Sequence, residues 1–323
     1  MSRAPRLAQH STVANRLALL SDLQLAALLA RADPAGDGIG GTKACLDVDG
    51  VCVFVKQVPL TDLERRPEHV RSTANLFELP TFYQYGVGSA GFGAWRELAV
   101  HIMTTNWVLE NQCPSFPILY HWRVLPQRAR RSTRAEAAGQ ERMVAYWQGS
   151  AAVRARLAAL RQSTASLVLF IEHIPQTVHS WLAARVALGG RAAASACALV
   201  ERELQAVTSF MGTRGLLHFD AHFHNLLTDG RRLYFADFGL ALSSRFDLSR
   251  EESAFFRRHE SYDRCYTATQ LVHWLGSADL PAAAARRVNR HAPVALVMRD
   301  FLRRLQTSKT TPYPLAAIRR AQR

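Results

Sequence analysis

At 323 residues, with 48% apolar and 20% charged side chains, the chain has ordinary globular composition and can bury a sizeable core as one large domain or two lobes. Its formal charge of +14 favours polyanions, whether nucleotide, phosphorylated metabolite, nucleic acid or an anionic membrane surface, unless it is merely a solvated face. The five cysteines are widely spaced, with no Cys-x-x-Cys pair, which argues against a disulfide framework or zinc ribbon; Asp22 and Gln24 interrupt the first apolar stretch, and no run approaches the ~20 apolar residues of a spanning helix, so the expected location is cytoplasmic.

Residues 15–30 read as one amphipathic helix rich in Leu and Ala. The stretch 36–42 carries Gly38, Gly40 and Gly41, which either form a flexible turn or let backbone amides approach a phosphate closely. An Asp49-Gly50 turn between two apolar runs predicts a hairpin that ends at Lys56. Among 40 Lys and Arg residues only Lys43, Lys56 and Lys309 are lysines, so Lys56 asks for an explanation beyond a snorkelling edge residue. Residues 57–93 look irregular. From Ala94 to Glu110 helical periodicity returns, with Glu97 in the first turn, where the macrodipole favours an acid.

Strands are expected at 116–125 and 167–174, the second closed by Pro175. Between them, about 126–165, lies a basic insertion with Arg128, Arg130, Arg131, Arg134, Arg142, Arg154, Arg156 and Arg161. It reads either as a solvated helical flap or as a surface for an acidic partner. Helices follow at 177–186 and 192–211, separated by Gly189 and Gly190, and another begins near Asp263. The Ala- and Arg-rich tail is helical, with its last ten or so residues expected to fray.

The densest chemistry runs from His218 to Leu242. Asp220 is followed by Asn225 and then by Asp237 in an Asp-Phe-Gly triplet, with Asp229-Gly230 between two short apolar runs predicting a hairpin. Two carboxylates and an amide can surround a hard cation while one carboxylate meets a hydroxyl, which is what phosphoryl transfer from Mg-ATP requires. A competing reading takes His218, Asp220, His222 and His224 as a transition-metal cluster on alternate residues of an extended strand.

This stretch resembles the catalytic loop and Asp-Phe-Gly of the protein-kinase-like superfamily. The resemblance implies an α+β fold of two lobes: a helical extension over 1–35, a small β-rich lobe over 36–172 containing the insertion, and a helical lobe over 173–323. The resemblance itself covers Gly38 to about Leu275, and it implies ATP and Mg2+ as cofactors, Asp220 as catalytic base, and Asn225 and Asp237 as metal ligands. Lys56 matches the phosphate-holding lysine, with Glu97 as its ion-pair partner or Glu110 as the alternative. Gly38, Gly40 and Gly41 match the phosphate-covering loop, backbone near Glu172 and Ile174 would meet adenine, and Asp263 would brace the catalytic loop.

There are departures from the family pattern. Phe219 stands where many protein kinases carry Arg, the partner of an activation-loop phosphate. His222 is shared with aminoglycoside and choline kinase families, and no Ala-Pro-Glu closes the segment 240–256, where Ser243, Ser244, Ser249 and Ser253 are candidate phosphosites. A basic chain without an acidic cluster suits a cationic aminoglycoside poorly, so the acceptor leans slightly to a protein Ser/Thr hydroxyl. A small-molecule phosphotransferase and a non-catalytic pseudokinase scaffold are the alternatives.

Overall fold

The computed structural model describes residues 3–38, 41–86, 88–127, 133–276 and 282–322; Gly40, Arg128, Arg130 and Arg131 lie outside them. An N-terminal β-sheet region is followed by a predominantly helical region. The chain divides into two compact units, the first Met1–His173 with Phe238–Leu240 and Phe246–Ser249, the second the remainder.

The first unit opens with α1 (Arg3–Ala18) and α2 (Asp22–Leu29) in place of the single helix expected over 15–30. Ser21 is the reason for the break: its hydroxyl accepts from the Gln24 N–H at 3.3 Å while Gln24 Oε1 accepts from the Ser21 N–H at 2.9 Å, a capping box that starts a new helix. Strands β1 (Asp33–Gly38), β2 (Gly41–Val48), β3 (Val51–Leu60), β4 (Leu119–Pro126) and β5 (Ala165–Glu172) form an antiparallel sheet in the order β1-β2-β3-β5-β4. Strand β4 thus starts three residues later than expected, and β5 is shifted two residues towards the N-terminus.

Asp49 (φ 53°) and Gly50 (φ 81°) make the two-residue β2–β3 turn with both backbones left-handed, the form that matches strand twist. Gly41 answers a different need. A Cβ there would sit 2.0 Å from the Gln57 carbonyl oxygen, so the β1–β2 hairpin can approach β3 only through glycine.

Side-chain alternation turns Phe54, Val58 and Leu60 of β3 and Leu167, Leu169 and Ile171 of β5 towards one apolar cluster, which α4 (Ala94–Leu109) completes with Trp95 and Leu98. The same period places Lys56 on that face.

The irregular stretch after β3 and the basic insertion pack together. Short helix α3 (Asp62–Arg65), α5 (Arg134–Tyr146) and α6 (Ala151–Gln162) accompany a cluster of Leu79, Tyr83, Phe92, Trp147 and Val153, with Tyr83 and Trp147 meeting edge to face at 4.8 Å. The insertion is therefore part of a core and not a solvated flap. Its Arg156 is 1% exposed and donates to Glu64 Oε2 at 2.8 Å.

Glu64 Oε2 also accepts from Thr61 N–H (3.0 Å) and Thr61 Oγ1–H (2.6 Å), while Oε1 accepts from the Ala94 N–H at 2.8 Å. One buried carboxylate thus caps α3 and the start of α4.

In the second unit, β6 (Gln176–Thr177), β8 (Leu226–Thr228) and β9 (Leu233–Phe235) form one small sheet, and β7 (Leu216–Leu217) pairs with β10 (Leu242–Ser243). Helices α7 (Val178–Ala187), α8 (Gly190–Thr213), α9 (Arg250–Arg258), α10 (Tyr262–Gly276), α11 (Ala282–Thr307) and α12 (Leu315–Ala321) supply the rest. Near the end of the described residues, within the tail expected to fray, α12 buries Ile318 fully. Among the described residues no helix is long and apolar enough to cross a membrane.

Arg156→Ala removes the countercharge from a carboxylate that is 1% exposed, and is expected to destabilise the protein by about 3–5 kcal/mol, the range for breaking a buried pair. Urea unfolding followed by tryptophan fluorescence measures it; a loss below about 1 kcal/mol, the exposed-pair range, would show that the insertion does not support the core.

Candidate active site

In the first unit, Lys56 projects from β3 into an apolar face, where an unpaired ammonium would be strongly disfavoured. Its partner is Glu97, in the first turn of α4: Nζ to Oε1 is 2.6 Å, and both residues are 2% exposed. Glu110 instead ends α4 at its C-cap. His101, one turn after Glu97, brings Nε2 to 3.9 Å from the same carboxylate oxygen and its ring to 4.9 Å from Phe238. Gly38 closes β1 and is paired with Gly41, which opens β2.

Glu172, at the end of β5, is committed to structure. Arg6 grips its carboxylate in a fork, Nε to Oε1 at 2.8 Å and Nη2 to Oε2 at 2.6 Å, while Oε2 also accepts from the Ile118 N–H at 3.0 Å. The Glu172 amide donates to the Ile118 carbonyl at 2.8 Å. Ile174, buried at 9% exposure, begins the second unit. Arg6 carried no sequence signal, since its partner lies 166 positions away.

The second unit holds Asp220, Asn225 and Asp237. The segment from His218 to Asn225 is a loop between β7 and β8, and the β8–β9 hairpin leads back to Asp237. Asn225 Nδ2–H donates to the Asp220 backbone carbonyl (3.1 Å) and to Asp220 Oδ2 (2.9 Å), which fixes the amide orientation and leaves Oδ1 as its remaining ligand atom. His222 Nε2 lies 3.7 Å from Asp220 Oδ1.

His218 is fully buried, and burial lowers its pKa to about 4, so the ring is neutral near pH 7. The Nε2–H tautomer satisfies both ring nitrogens: Nε2 donates to the Ala236 carbonyl at 2.9 Å, and Nδ1 accepts from the Asp220 N–H at 3.3 Å. One imidazole thereby ties the residue before Asp237 to Asp220 itself.

Phe219 (φ 64°) and Asp237 (φ 63°) both adopt the left-handed conformation, which for a bulky residue such as Phe is a real outlier. Two devices hold it. Asp263, 3% exposed in the first turn of α10, accepts the His218 N–H at Oδ2 (2.6 Å) and the Phe219 N–H at Oδ1 (2.9 Å). The Phe219 ring is stacked on Tyr262 at 4.7 Å and Phe255 at 5.6 Å. Burial raises the Asp263 carboxyl to about 6 against the two amide bonds that favour its charged form.

The histidine cluster does not assemble as a metal site. His218 turns inward to Ala236, the segment is a loop and not an extended strand, and the ring of His224 stacks on His179 at 4.2 Å.

Asp263→Ala leaves two buried amides without acceptors and is expected to cost about 2–6 kcal/mol, and Asp263→Asn, which keeps one acceptor, less. Because the folded carboxyl titrates near 6 and the unfolded one near 3.8, the native state binds the extra proton between these values. The stability of wild type relative to Asp263→Asn should therefore fall as pH rises from about 4 to about 6, and denaturant titrations across that window check the sign.

Neither known family models nor curated proteins give a match to this chain.

Proposed function

We propose that this chain is an ATP- and Mg2+-dependent kinase that transfers the γ-phosphoryl group to a hydroxyl, with protein Ser/Thr as the favoured acceptor. The reading is carried by the Asp220–Asn225 pair, locked at 2.9 Å in a strained loop whose buried imidazole reaches the residue before Asp237. Strain held by several independent contacts is characteristic of sites where geometry matters to chemistry. The donor set, a carboxamide oxygen and carboxylates with no thiolate, is the kind that hard Mg2+ takes.

Asn225 Oδ1 and Asp237 would hold the metal, which when bound neutralises charge on the phosphates. Asp220, part-exposed, would orient the acceptor hydroxyl and receive its proton as the new O–P bond forms and the bond from the γ-phosphorus to the bridging oxygen of ADP breaks. Lys56, held by Glu97, would supply a fixed positive charge to the phosphates, and backbone amides near Gly38 and Gly41 would cover them. With the Glu172 amide engaged in the sheet, adenine would be met by backbone beyond it, from Ile174.

The basic charge of the chain disfavours a cationic acceptor and supports a protein hydroxyl. A small-molecule acceptor is the second reading, and one observation favours it: the segment after Asp237 is short and structured, pairing Leu242–Ser243 with β7 and then entering α9.

Asp220→Asn should lower turnover by about 100- to 10,000-fold, the contribution typical of a general base, and Asp237→Asn should abolish transfer with the fold intact. Purified protein incubated with γ-labelled ATP, Mg2+ and a cell extract, split into protein and small-molecule fractions, reads both; unchanged labelling in either variant would overturn the assignment.

Phe219 occupies an aromatic stack and offers no cation to a phosphate. The enzyme should therefore keep its activity after phosphatase treatment, and a silenced enzyme would show that phosphorylation of the segment is required.

A further inference from the structure

Three of the five cysteines, Cys113, Cys197 and Cys265, are buried, as free cysteine usually is. Cys45 and Cys52 are not: the first is half-buried and the second exposed. They lie on adjacent strands with Cys45 opposite Phe54 and Asp47 opposite Cys52, so the two thiols share one face of the sheet as diagonal neighbours. On β5, Val53 faces Glu172, which carries the next residue, His173, to the level of Cys52. Cys45 Sγ, Cys52 Sγ and a ring nitrogen of His173 all lie within 4.8 Å of one another.

We propose that Cys45, Cys52 and His173 bind a thiophilic d10 cation, Zn2+ or Cu+. Two thiolates and one imidazole are the ligands such ions select over Mg2+ or Ca2+. With metal–sulfur bonds of ~2.3 Å and a metal–nitrogen bond of ~2.0 Å, tetrahedral ligand atoms stand roughly 3.5–3.8 Å apart. The present spacing, within 4.8 Å, is about 1 Å wider than that, on side chains whose places are set by the β2–β3 register and by the end of β5 just before His173. A direct disulfide fits less well, since diagonal positions are about 7–8 Å apart at Cα, beyond the usual span of the bridge.

Three protein ligands leave a fourth position open to solvent or an added ligand. Asp47 stands on the same face opposite Cys52, its Oδ1 held by the Gly50 N–H at 3.1 Å, and adds negative charge beside the cation. Binding releases two protons from the thiols to solvent and changes no oxidation state. The sequence hides the site because its ligands are brought together by strand register and not by a short spacing.

The proposal is independent of phosphoryl transfer: a protein that binds the metal but transfers nothing leaves it standing. The test uses the full chain, reduced and stripped with a chelator, titrated with Co2+ as a spectroscopic probe, and then with Zn2+ and Cu+ in competition with chromophoric chelators. One equivalent of Co2+ should give thiolate charge-transfer absorption and the visible bands of a tetrahedral site. Cys45→Ser, Cys52→Ser and His173→Gln should each weaken binding by at least about tenfold, given what even ligand-orienting groups contribute. Because Cys52 is exposed, its substitution leaves the core intact, and Cys197→Ser, in the other unit, should bind like wild type. The competition arms decide between the two ions. Absence of the cobalt–thiolate band, its survival in Cys52→Ser, or peptide mapping that finds a Cys45–Cys52 disulfide in freshly purified protein would each overturn the proposal.

Discussion

The first unit depends on what a single buried carboxylate holds. Glu64 accepts from the N–H and hydroxyl of Thr61, the N–H of Ala94 and the guanidinium of Arg156. Gly93, the N-cap of α4, has no side chain with which to satisfy the amides of its first turn, and Glu64 supplies both an acceptor and negative charge there. Helix α4 is thereby fixed at its N-terminal end, three residues before the glutamate that meets Lys56. Since Arg156 neutralises Glu64, the 126–165 insertion contributes to the geometry of the Lys56–Glu97 pair without touching it. Desolvation would push a carboxylate such as Glu64 upward, yet its pKa is lowered by Arg156 and Thr61, so the charged form prevails.

The second unit uses the same device in a different setting. Asp263 accepts two consecutive loop amides, as Glu64 accepts a helix-start amide, and in both cases a buried acid organises a segment whose own side chains are needed elsewhere. The difference lies in the countercharge. Glu64 has Arg156 and is held down in pKa, whereas Asp263 relies on neutral amides and is pushed up. Burial, which disfavours charge, outweighs those amide bonds. The left-handed Phe219 is thus anchored by its amide and by its ring, and Asp220, the next residue, is fixed from one side by that backbone and from the other by the Asn225 amide that donates to its carboxylate.

Much of this was legible in the sequence where the signal is local. Asp49-Gly50 announced the hairpin, the rarity of lysine singled out Lys56, and helical periodicity placed Glu97 in a first turn. Thr61-Asp62-Leu63-Glu64 was also readable as a capping box, with the hydroxyl three residues before the acid, although Pro59 and the prolines that follow made the region look irregular. What stayed hidden depends on long separations. Arg6 meets Glu172 across 166 positions and Arg156 meets Glu64 across 92, and no periodicity or spacing within either segment encodes its partner. The split of the first helix at Ser21 was missed for another reason: Leu and Ala recur on both sides of Ser21, and a single N-cap overrode their helix propensity.

The charge of the chain acquires a more particular meaning from these contacts. Arg6 and Arg156 are 3% and 1% exposed and act inside the protein, each holding a buried glutamate, while Glu201 takes up Arg287, Arg290 and His291. The planar fork of arginine suits such carboxylates, whereas an ammonium is a compact point charge. Two of the three lysines are used accordingly: Lys309 points its ammonium at the carbonyls of Leu305 and Gln306 near the end of α11, and Lys56 puts one on an apolar face between Phe54 and Val58. A guanidinium at position 56 would bring a wider group into that packed face and change the geometry of the 2.6 Å contact with Glu97. In a chain that chooses arginine almost everywhere, lysine at this position sets a compact cation against the Glu97 carboxylate within a packed apolar face.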